Sequence, residues 1–174
     1  MEGLDLIAKL MAVSAKTAPK GYGADYLDIQ VISKEGIPPL AEEMKKCGQE
    51  TGRPGFHLDA SSVEQSSSIV LIGLKEAPPA GLDCGACGFA RCQEMESHQP
   101  AERHFKGPQC VVRLTDLGIA LGSAVSTAAF HHADNRVMFT LGVAARRLKM
   151  TDAVYVLGIP LSATTKSPYF DRQK

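Results

Sequence analysis

The chain has 174 residues, with 44% hydrophobic and 22% charged residues, and its 19 basic side chains equal its 19 acidic ones. That length suits a single domain, residues 1–174, and the balanced charge argues against nucleic acid or an anionic membrane as a partner. The N-terminus lacks the basic start and apolar core of a signal peptide. The longest apolar run, Ile69–Leu74, is too short to span a bilayer.

The N-terminal third predicts a helix, a strand and a second helix. Apolar residues at helical spacing indicate a helix over Leu4–Lys16, followed by a loop at Pro19. Tyr26–Ser33 is rich in Ile and Val and roughly alternates, which is typical of a strand. Two prolines open a second helix over Pro38–Cys47, with Gly48 as its C-terminal stop.

The next section ends in a buried strand and a chain breaker. Residues 51–58 are predicted as loop, and Ser61–Glu64 resembles a capping box that starts a short helix. The apolar run Ser68–Leu74 suits a buried strand. The stretch Ala77–Gly81 contains two prolines and a glycine, so residues 81–112 are predicted to form an insertion.

Four cysteines lie within 27 residues of this insertion, namely Cys84, Cys87, Cys92 and Cys110. The first three have C-x2-C-x4-C spacing, and the fourth follows after seventeen residues. Iron–sulfur clusters are held by four cysteine thiolates in such runs, and glycines on either side of Cys87 would let the backbone approach a bulky cluster. The pattern therefore predicts an iron–sulfur site with these four ligands.

Zinc and disulfides are the alternatives for these cysteines. Structural zinc usually takes two C-x2-C-type pairs, whereas Cys92 and Cys110 are far apart in sequence. Disulfides need an oxidising compartment, and the absence of a secretion signal favours a reducing cytoplasm. Four ligands fit a 2Fe–2S or a 4Fe–4S cluster. The spacing resembles the small 4Fe–4S domain of corrinoid iron–sulfur proteins, which favours 4Fe–4S.

Two helices and a strand follow the insertion. A helix over Asp116–His131 has an apolar stripe with small residues on its other faces, which suits the interior or a subunit interface. Asp134 is predicted to cap the next helix, and Val154–Ile159 to form a buried strand. The residues of that next helix expected to face inward are Val137, Met138, Leu141, Ala145 and Leu148. The fold class is therefore α+β or α/β, in one domain with a grafted cysteine loop.

Other reactive residues have structural interpretations. Cys47 is expected to be a buried thiol, and His98 and His104 are weak ligand candidates because four cysteines already suffice. His131–His132 fits a helix C-terminus, where the dipole favours histidine. Asp134–Arg136 is explained by helix capping and a salt bridge. No Ser/His/Asp pattern, Walker loop or paired-carboxylate site stands out.

Several segments together resemble a family of uncharacterised prokaryotic proteins that contain a ferredoxin domain on a nitroreductase-like scaffold. The matching segments cover most of residues 84–172: Asp83–Gly88, Gly107–Cys110, Asp116–Ala124, Asp134–Arg136, Gly142–Ala145, Gly158–Ser162 and Tyr169–Arg172. The resemblance implies a nitroreductase-like α/β scaffold that carries the four-cysteine iron–sulfur loop, and it implies a homodimer.

The nitroreductase likeness also implies flavin mononucleotide (FMN) bound at the dimer interface. Flavin-binding relatives grip the phosphate with an early arginine-rich motif, but the first arginine here is Arg53. Lys16 and Lys20 beside the Pro19 loop could replace that motif, as could Lys166 and Arg172 from the C-terminal tail. Lysine binds phosphate as a point charge and lacks the fork of arginine.

Two functions remain open at this point. The first is an iron–sulfur redox protein that transfers electrons to an unknown redox partner and, with FMN, acts as an oxidoreductase of unknown substrate. The alternative is a non-enzymatic binding or accessory module, in which an iron–sulfur cluster or zinc only staples the insertion.

Overall fold

The computed structural model describes residues 2–171. The elements in chain order are α1 (Glu2–Thr17), β1 (Leu27–Ile32), α2 (Ile37–Thr51), α3 (Pro54–Glu64), β2 (Ser68–Leu74), α4 (Cys92–Ser97), β3 (Ala101–Glu102), β4 (Lys106–Gly107), α5 (Val111–Phe130), β5 (Asp134–Asn135), α6 (Phe139–Arg147) and β6 (Tyr155–Ser162).

A four-stranded antiparallel sheet of order β1-β2-β6-β5 forms the centre of the molecule. Leu74 of β2 pairs with Leu27 of β1 and with Tyr155 of β6, and these three residues mark what we call the insertion end of the sheet. Ser68 and Ser162 mark the opposite end. The cysteine segment begins directly after Leu74 and therefore leaves the sheet at the insertion end.

Helices cover both faces of the sheet and create two hydrophobic cores. On one face α1 and α5 pack against Val70 and Ile72 of β2. On the other face α2, α3 and α6 pack against Ile69 and Leu71. Because successive residues of a strand point to opposite faces, helices on both faces of the sheet bury every residue of β2. This explains the uninterrupted burial of Ser68–Leu74 and confirms the prediction of a buried strand.

Helix α5 is the most apolar helix of the chain and packs along α1. Leu117, Leu121, Ala124 and Ala128 of its predicted stripe are buried. In the described part of the chain it is the one helix long and apolar enough to cross a membrane, by length and composition only. Its inner face is nevertheless part of the first core. The helix begins at Val111, five residues before the predicted start at Asp116.

The boundaries predicted between β1 and β2 were wrong. Helix α2 continues through Gly48 to Thr51, and Gly52, with φ of 65°, ends it in the left-handed conformation. Residues 54–58, predicted as loop, are the first turns of α3, which Pro54 opens. The predicted helix start at Ser61–Glu64 is instead the last turn of α3. Burial of Phe56, Ala60 and Val63 on one face of α3 explains this difference.

The predicted capping role of Asp134 was also wrong. Asp134 pairs with Ser162 in the short strand β5, and the next helix begins only at Phe139. Val137 and Leu148 were expected to face inward but are 41% and 37% exposed. Val137 precedes the helix and Leu148 follows its last residue, so neither lies on the helical face that Leu141 and Ala145 bury.

Candidate metal centre

The insertion leaves the sheet at one end, beside the end of α1, the start of β1 and the start of α5. The predicted insertion, residues 81–112, falls between the end of β2 at Leu74 and the first residues of α5, which begins at Val111. Helix α1 ends at Thr17, and the loop that follows enters β1 at Leu27, which pairs with Leu74. The segment that carries the four cysteines therefore leaves the sheet at the end where the loop after α1 and the start of α5 meet, since Arg113 of α5 binds the carbonyls of Gly21 and Pro78.

The loop that carries the first three cysteines folds back on itself. Gly85 and Gly88 have φ of 73° and 91°, values that a side chain disfavours. The Gly88 amide donates to the Gly85 carbonyl at 3.0 Å, which closes a tight turn around Cys87. Cys84 is exposed, whereas Cys87 and Cys92 are partly exposed. The backbone angles show why glycine is favoured at these two positions, and the close approach to a cluster stays a prediction.

Cys92 is held by a reciprocal contact with Asp83. The Cys92 amide donates to the Asp83 carboxylate at 2.7 Å, and the Asp83 amide donates to the Cys92 sulfur at 3.4 Å. Cys92 is also the first residue of α4. Asp83 and Cys92 are nine residues apart, so this contact brings Cys92 back beside the residue that precedes Cys84.

A small hairpin fastens the later part of the insertion to the body. Strands β3 and β4 pair antiparallel, and between them the Phe105 ring lies 4.6 Å from Tyr155 and 5.3 Å from Phe139 between centroids. Arg146 donates to the His104 carbonyl at 3.0 Å and pairs with Glu102. The insertion is therefore fixed on the body near residues 102–107, while the loop with Cys84 extends into solvent.

Cys110 lies at the junction between the insertion and α5. It is 7% exposed and occupies the N-cap position of that helix. The N-terminal end of a helix carries partial positive charge, so Cys110 sits where a negatively charged group is stabilised. Cys47 is buried in the core, and this burial raises the pKa of its thiol, as expected for a core residue.

Arg113 and Asp116 connect this junction to the loop after α1. The Arg113 guanidinium, 5% exposed, donates to the carbonyls of Gly21 and Pro78, both at 3.3 Å. It also lies 3.5 Å from Asp116 and 4.7 Å above the Tyr26 ring. The Gly21 amide donates to Asp116 at 2.7 Å. Sequence analysis missed this pair, although a basic and an acidic residue three apart on an apolar helix are its signal.

The four cysteines suit an iron–sulfur cluster by donor chemistry. All four are free thiols on one segment; three of them are exposed or partly exposed, and Cys110 is buried. In the range 2–171, however, no group of three or more His, Cys, Asp or Glu side chains is close enough to hold a metal ion. Convergence of the four sulfurs therefore stays a prediction.

The histidines of the insertion are engaged with aromatic rings. His98 lies 5.1 Å from Phe89 between ring centroids. His104 lies between Phe56 and Phe139, at 6.1 and 5.9 Å. The interpretation of both histidines as weak ligand candidates stays a prediction.

The predicted phosphate-binding residues lie in two separate places. Lys16 pairs with Asp25. The Lys20 ammonium donates to the carbonyls of Ala18 and Lys16 at 2.7 and 2.8 Å, and so caps the end of α1. Both are at the insertion end. Lys166 instead lines a cleft of about 400 Å³ beside α3, beyond the opposite end of the sheet. Arg172 lies outside the described residues.

The polar residues after α5 have structural contacts. Asp134 pairs in β5, and Arg136 donates to the Tyr169 carbonyl at 3.1 Å. His131 and His132 are exposed at the end of α5. The histidines therefore lie at a helix C-terminus as predicted, whereas the predicted capping by Asp134 was wrong and the described contact of Arg136 is to a carbonyl instead of the predicted salt bridge.

Comparison with known proteins places this architecture in a family. The profile of a family described as uncharacterized protein containing a ferredoxin domain matches residues 106–172, which include Cys110. An uncharacterized protein from Archaeoglobus fulgidus is 45% identical over 171 residues, which are 98% of this chain and 92% of the relative. The chain belongs to this ferredoxin-domain family.

Solved structures show that the fold of this ferredoxin-domain protein is nitroreductase-like. A nitroreductase-like family protein from Bacillus cereus has a TM-score of 0.58 at 10% identity, over 97% of this chain and 79% of that one. B. megaterium NfrA1 has a TM-score of 0.54 at 14% identity over 92% of this chain, which spans 60% of its length. An oxidoreductase containing FMN gives 0.55 at 14% identity, over 92% of this chain and 67% of its own.

Proposed function

We propose that the protein is an iron–sulfur redox protein with Cys84, Cys87, Cys92 and Cys110 as ligands of a 4Fe–4S cluster. The observation that carries the proposal is four free thiols on one segment, with the reciprocal Asp83–Cys92 contact and the helix N-terminus at Cys110. The ferredoxin-domain family supports it. When bound, such a cluster would transfer single electrons.

The surrounding residues would do three things for the cluster. The glycines of the turn from Gly85 to Gly88 would let the backbone approach the cluster closely, because glycine has no Cβ. The amide at the start of α5 and the dipole of that helix offset negative charge on Cys110. The exposed Cys84 side leaves a short path to an electron partner in solution.

Metal and sulfide analysis of anaerobically purified protein tests this proposal. We expect iron and labile sulfide, together with cluster absorption in the visible range. Cys87→Ser should abolish iron incorporation, and Cys47→Ser, the matched control in the core, should leave it intact. Zinc without sulfide would instead support the alternative, a non-enzymatic module whose insertion is stapled by metal. Full iron content in Cys87→Ser would contradict the ligand assignment.

We further propose that FMN binds at the insertion end of the sheet. The fold likeness to an oxidoreductase containing FMN supports this, as do two lysines at that end, Lys16 and Lys20. To reach a phosphate, Lys20 would have to release the α1 carbonyls and Lys16 would have to release Asp25. Calorimetric titration of the cluster-loaded protein with FMN tests binding. Absence of heat and of fluorescence quenching at high micromolar FMN would leave a flavin-free redox protein.

We also propose a homodimer that forms through the outer faces of α1 and α5. Leu6 and Val13 of α1 are 59% and 60% exposed, and Ile119 and Phe130 of α5 are 41% and 81% exposed. Gly118 and Gly122 would meet nothing within 4 Å if they carried a Cβ, so this face is open to a partner helix. A second copy would cover this apolar surface by two-fold symmetry.

A further inference from the structure

We infer that Asp83 is a positioning residue for the proposed cluster and holds Cys92 in the orientation of a ligand. This inference rests on the proposed iron–sulfur function. It assigns to Asp83 a role that neither the fold nor the family description gives. The carboxylate binds the Cys92 amide at 2.7 Å, and the Asp83 amide binds the Cys92 sulfur at 3.4 Å.

The backbone of Asp83 shows that this contact is built into the loop. Its φ is 46°, a left-handed conformation in which Asp and Asn are several-fold enriched among the non-glycine residues that adopt it. At this angle the side chain and the amide of one residue both reach Cys92. This conformation costs free energy in a residue other than glycine, and the two bonds to Cys92 offset that cost.

The contact also replaces the missing cap of α4. The N-cap residue of that helix, Arg91, makes no capping bond with its side chain. Asp83 supplies the acceptor from nine residues away, and its carboxylate suits the positive end of a helix. Fixing the first residue of α4 fixes Cys92, because Cys92 is that residue.

An N–H···S bond to a cluster ligand has a second effect. Hydrogen bonds to the sulfurs and nearby charge set the reduction potential of iron–sulfur sites, and partners of metal ligands orient those ligands. Asp83 brings an amide donor to the sulfur and a carboxylate to the backbone of the same ligand. Losing the carboxylate should therefore release Cys92 and weaken retention of the cluster.

Two substitutions distinguish the effect of the Asp83 side chain from the effect of its backbone conformation. Asp83→Gly keeps the left-handed conformation at low cost and removes the acceptor. Asp83→Asn keeps an acceptor oxygen and tolerates the same angle. Glu94→Gln removes a carboxylate from α4 without touching the Asp83–Cys92 contact, and serves as the control.

The first measurement is the rate at which a chelator removes the visible absorption of the cluster under anaerobic conditions. Losing a hydrogen-bond acceptor at a helix N-terminus changes the helix-forming equilibrium about fivefold, and we take the same factor for the rate of cluster loss. We expect Asp83→Gly to lose the cluster about fivefold faster, while Asp83→Asn and Glu94→Gln stay near the unaltered protein. Rescue by Asn distinguishes positioning from a general effect of charge.

The second measurement uses the metal-free protein and the exchange rate of the Cys92 amide hydrogen. Asp83→Gly should speed this exchange, and Asp83→Asn should not. Unchanged cluster loss and exchange in Asp83→Gly, in a protein that otherwise carries its cluster, would overturn this inference alone. Absence of iron and sulfide from the unaltered protein would overturn the proposed function, and this inference with it.

Discussion

Substitution of Arg113 should disturb three segments of the chain at once. Its guanidinium is buried with Asp116 and binds the Gly21 and Pro78 carbonyls, so it joins the loop after α1, the start of the insertion and helix α5. Removing one partner of a buried ion pair leaves the other charge unpaired. We expect Arg113→Gln to lower the free energy of unfolding by about 3–5 kcal/mol, as measured by urea denaturation.

Lys45→Gln is the matched control for this substitution. Lys45 forms an ion pair with Glu64 at the surface, where the two side chains are 38% and 46% exposed. Exposed pairs of this kind contribute little because water already solvates both charges. Equal losses in the free energy of unfolding would show that the buried Arg113–Asp116 pair contributes no more to stability than the exposed pair.

Tyr169 should make stability depend on pH in the alkaline range. Burial raises the pKa of this phenol from 10.0 to about 12, against the opposing hydrogen bond to Ser66. Between those two pH values the unfolded chain loses the proton that the folded chain keeps, so stability falls as pH rises. The full contribution, roughly 2–3 kcal/mol by linkage, is present below pH 10.

Tyr169→Phe cannot ionise and isolates this effect. The variant should lose about 1 kcal/mol at neutral pH with its hydrogen bond to Ser66. The difference in unfolding free energy from the unaltered protein should then shrink or reverse above pH 10. A constant difference from pH 8 to pH 12 would contradict the assignment of the raised pKa to Tyr169.

At the scale of elements, the packing of α6 on β6 depends on one glycine. A Cβ on Gly142 would lie 1.9 Å from the Val156 carbonyl oxygen, which is backbone and cannot move aside. We expect Gly142→Ala to cost about 1–3 kcal/mol or more by overpacking, as measured by thermal unfolding. Gly55→Ala in α3 meets nothing within 4 Å, so it should change stability little. Equal melting temperatures for the two variants would contradict this packing argument.

Elements were predictable from the sequence where burial made the pattern simple. Strand β2 has the predicted bounds because helices cover both of its faces, and α1 differs from its prediction by only a few residues. Helix α3 was missed because its buried residues are few, and because Pro54 was not used as a start signal. The position of Asp134 depends on pairing with Ser162, which is distant in sequence.

The sequence predicted the candidate ligand residues of the site but not the contacts that hold this region in place. The spacing of the cysteines singled out the four proposed ligands without any structure. The Asp83–Cys92 bonds and the bonds from Arg113 to the Pro78 and Gly21 carbonyls join residues that lie 9, 35 and 92 positions apart. No local pattern specifies such contacts, because the fold of the whole chain decides which segments meet.

For the whole molecule, the exposed apolar residues on the outer faces of α1 and α5 predict a homodimer. An interface of ordinary size buries roughly 800 Å² on each partner, so one charge at its centre should prevent association. We expect light scattering to give a dimer for the unaltered protein and a monomer for Ile119→Glu. Leu58→Glu places the same charge on α3, where Leu58 is 47% exposed, and should remain dimeric. A monomeric unaltered protein at micromolar concentration would contradict the proposed assembly.

The two large cores contain none of the four cysteines of the insertion. Formation of the sheet and its covering helices therefore does not wait for metal, unlike small zinc domains that stay unfolded without it. The consequence concerns biogenesis: we expect the polypeptide to reach its native fold during or soon after synthesis and to be a stable acceptor for cluster delivery afterwards. Loss of the cluster to oxygen would then be a repairable event, because the emptied protein keeps its fold and can be loaded again.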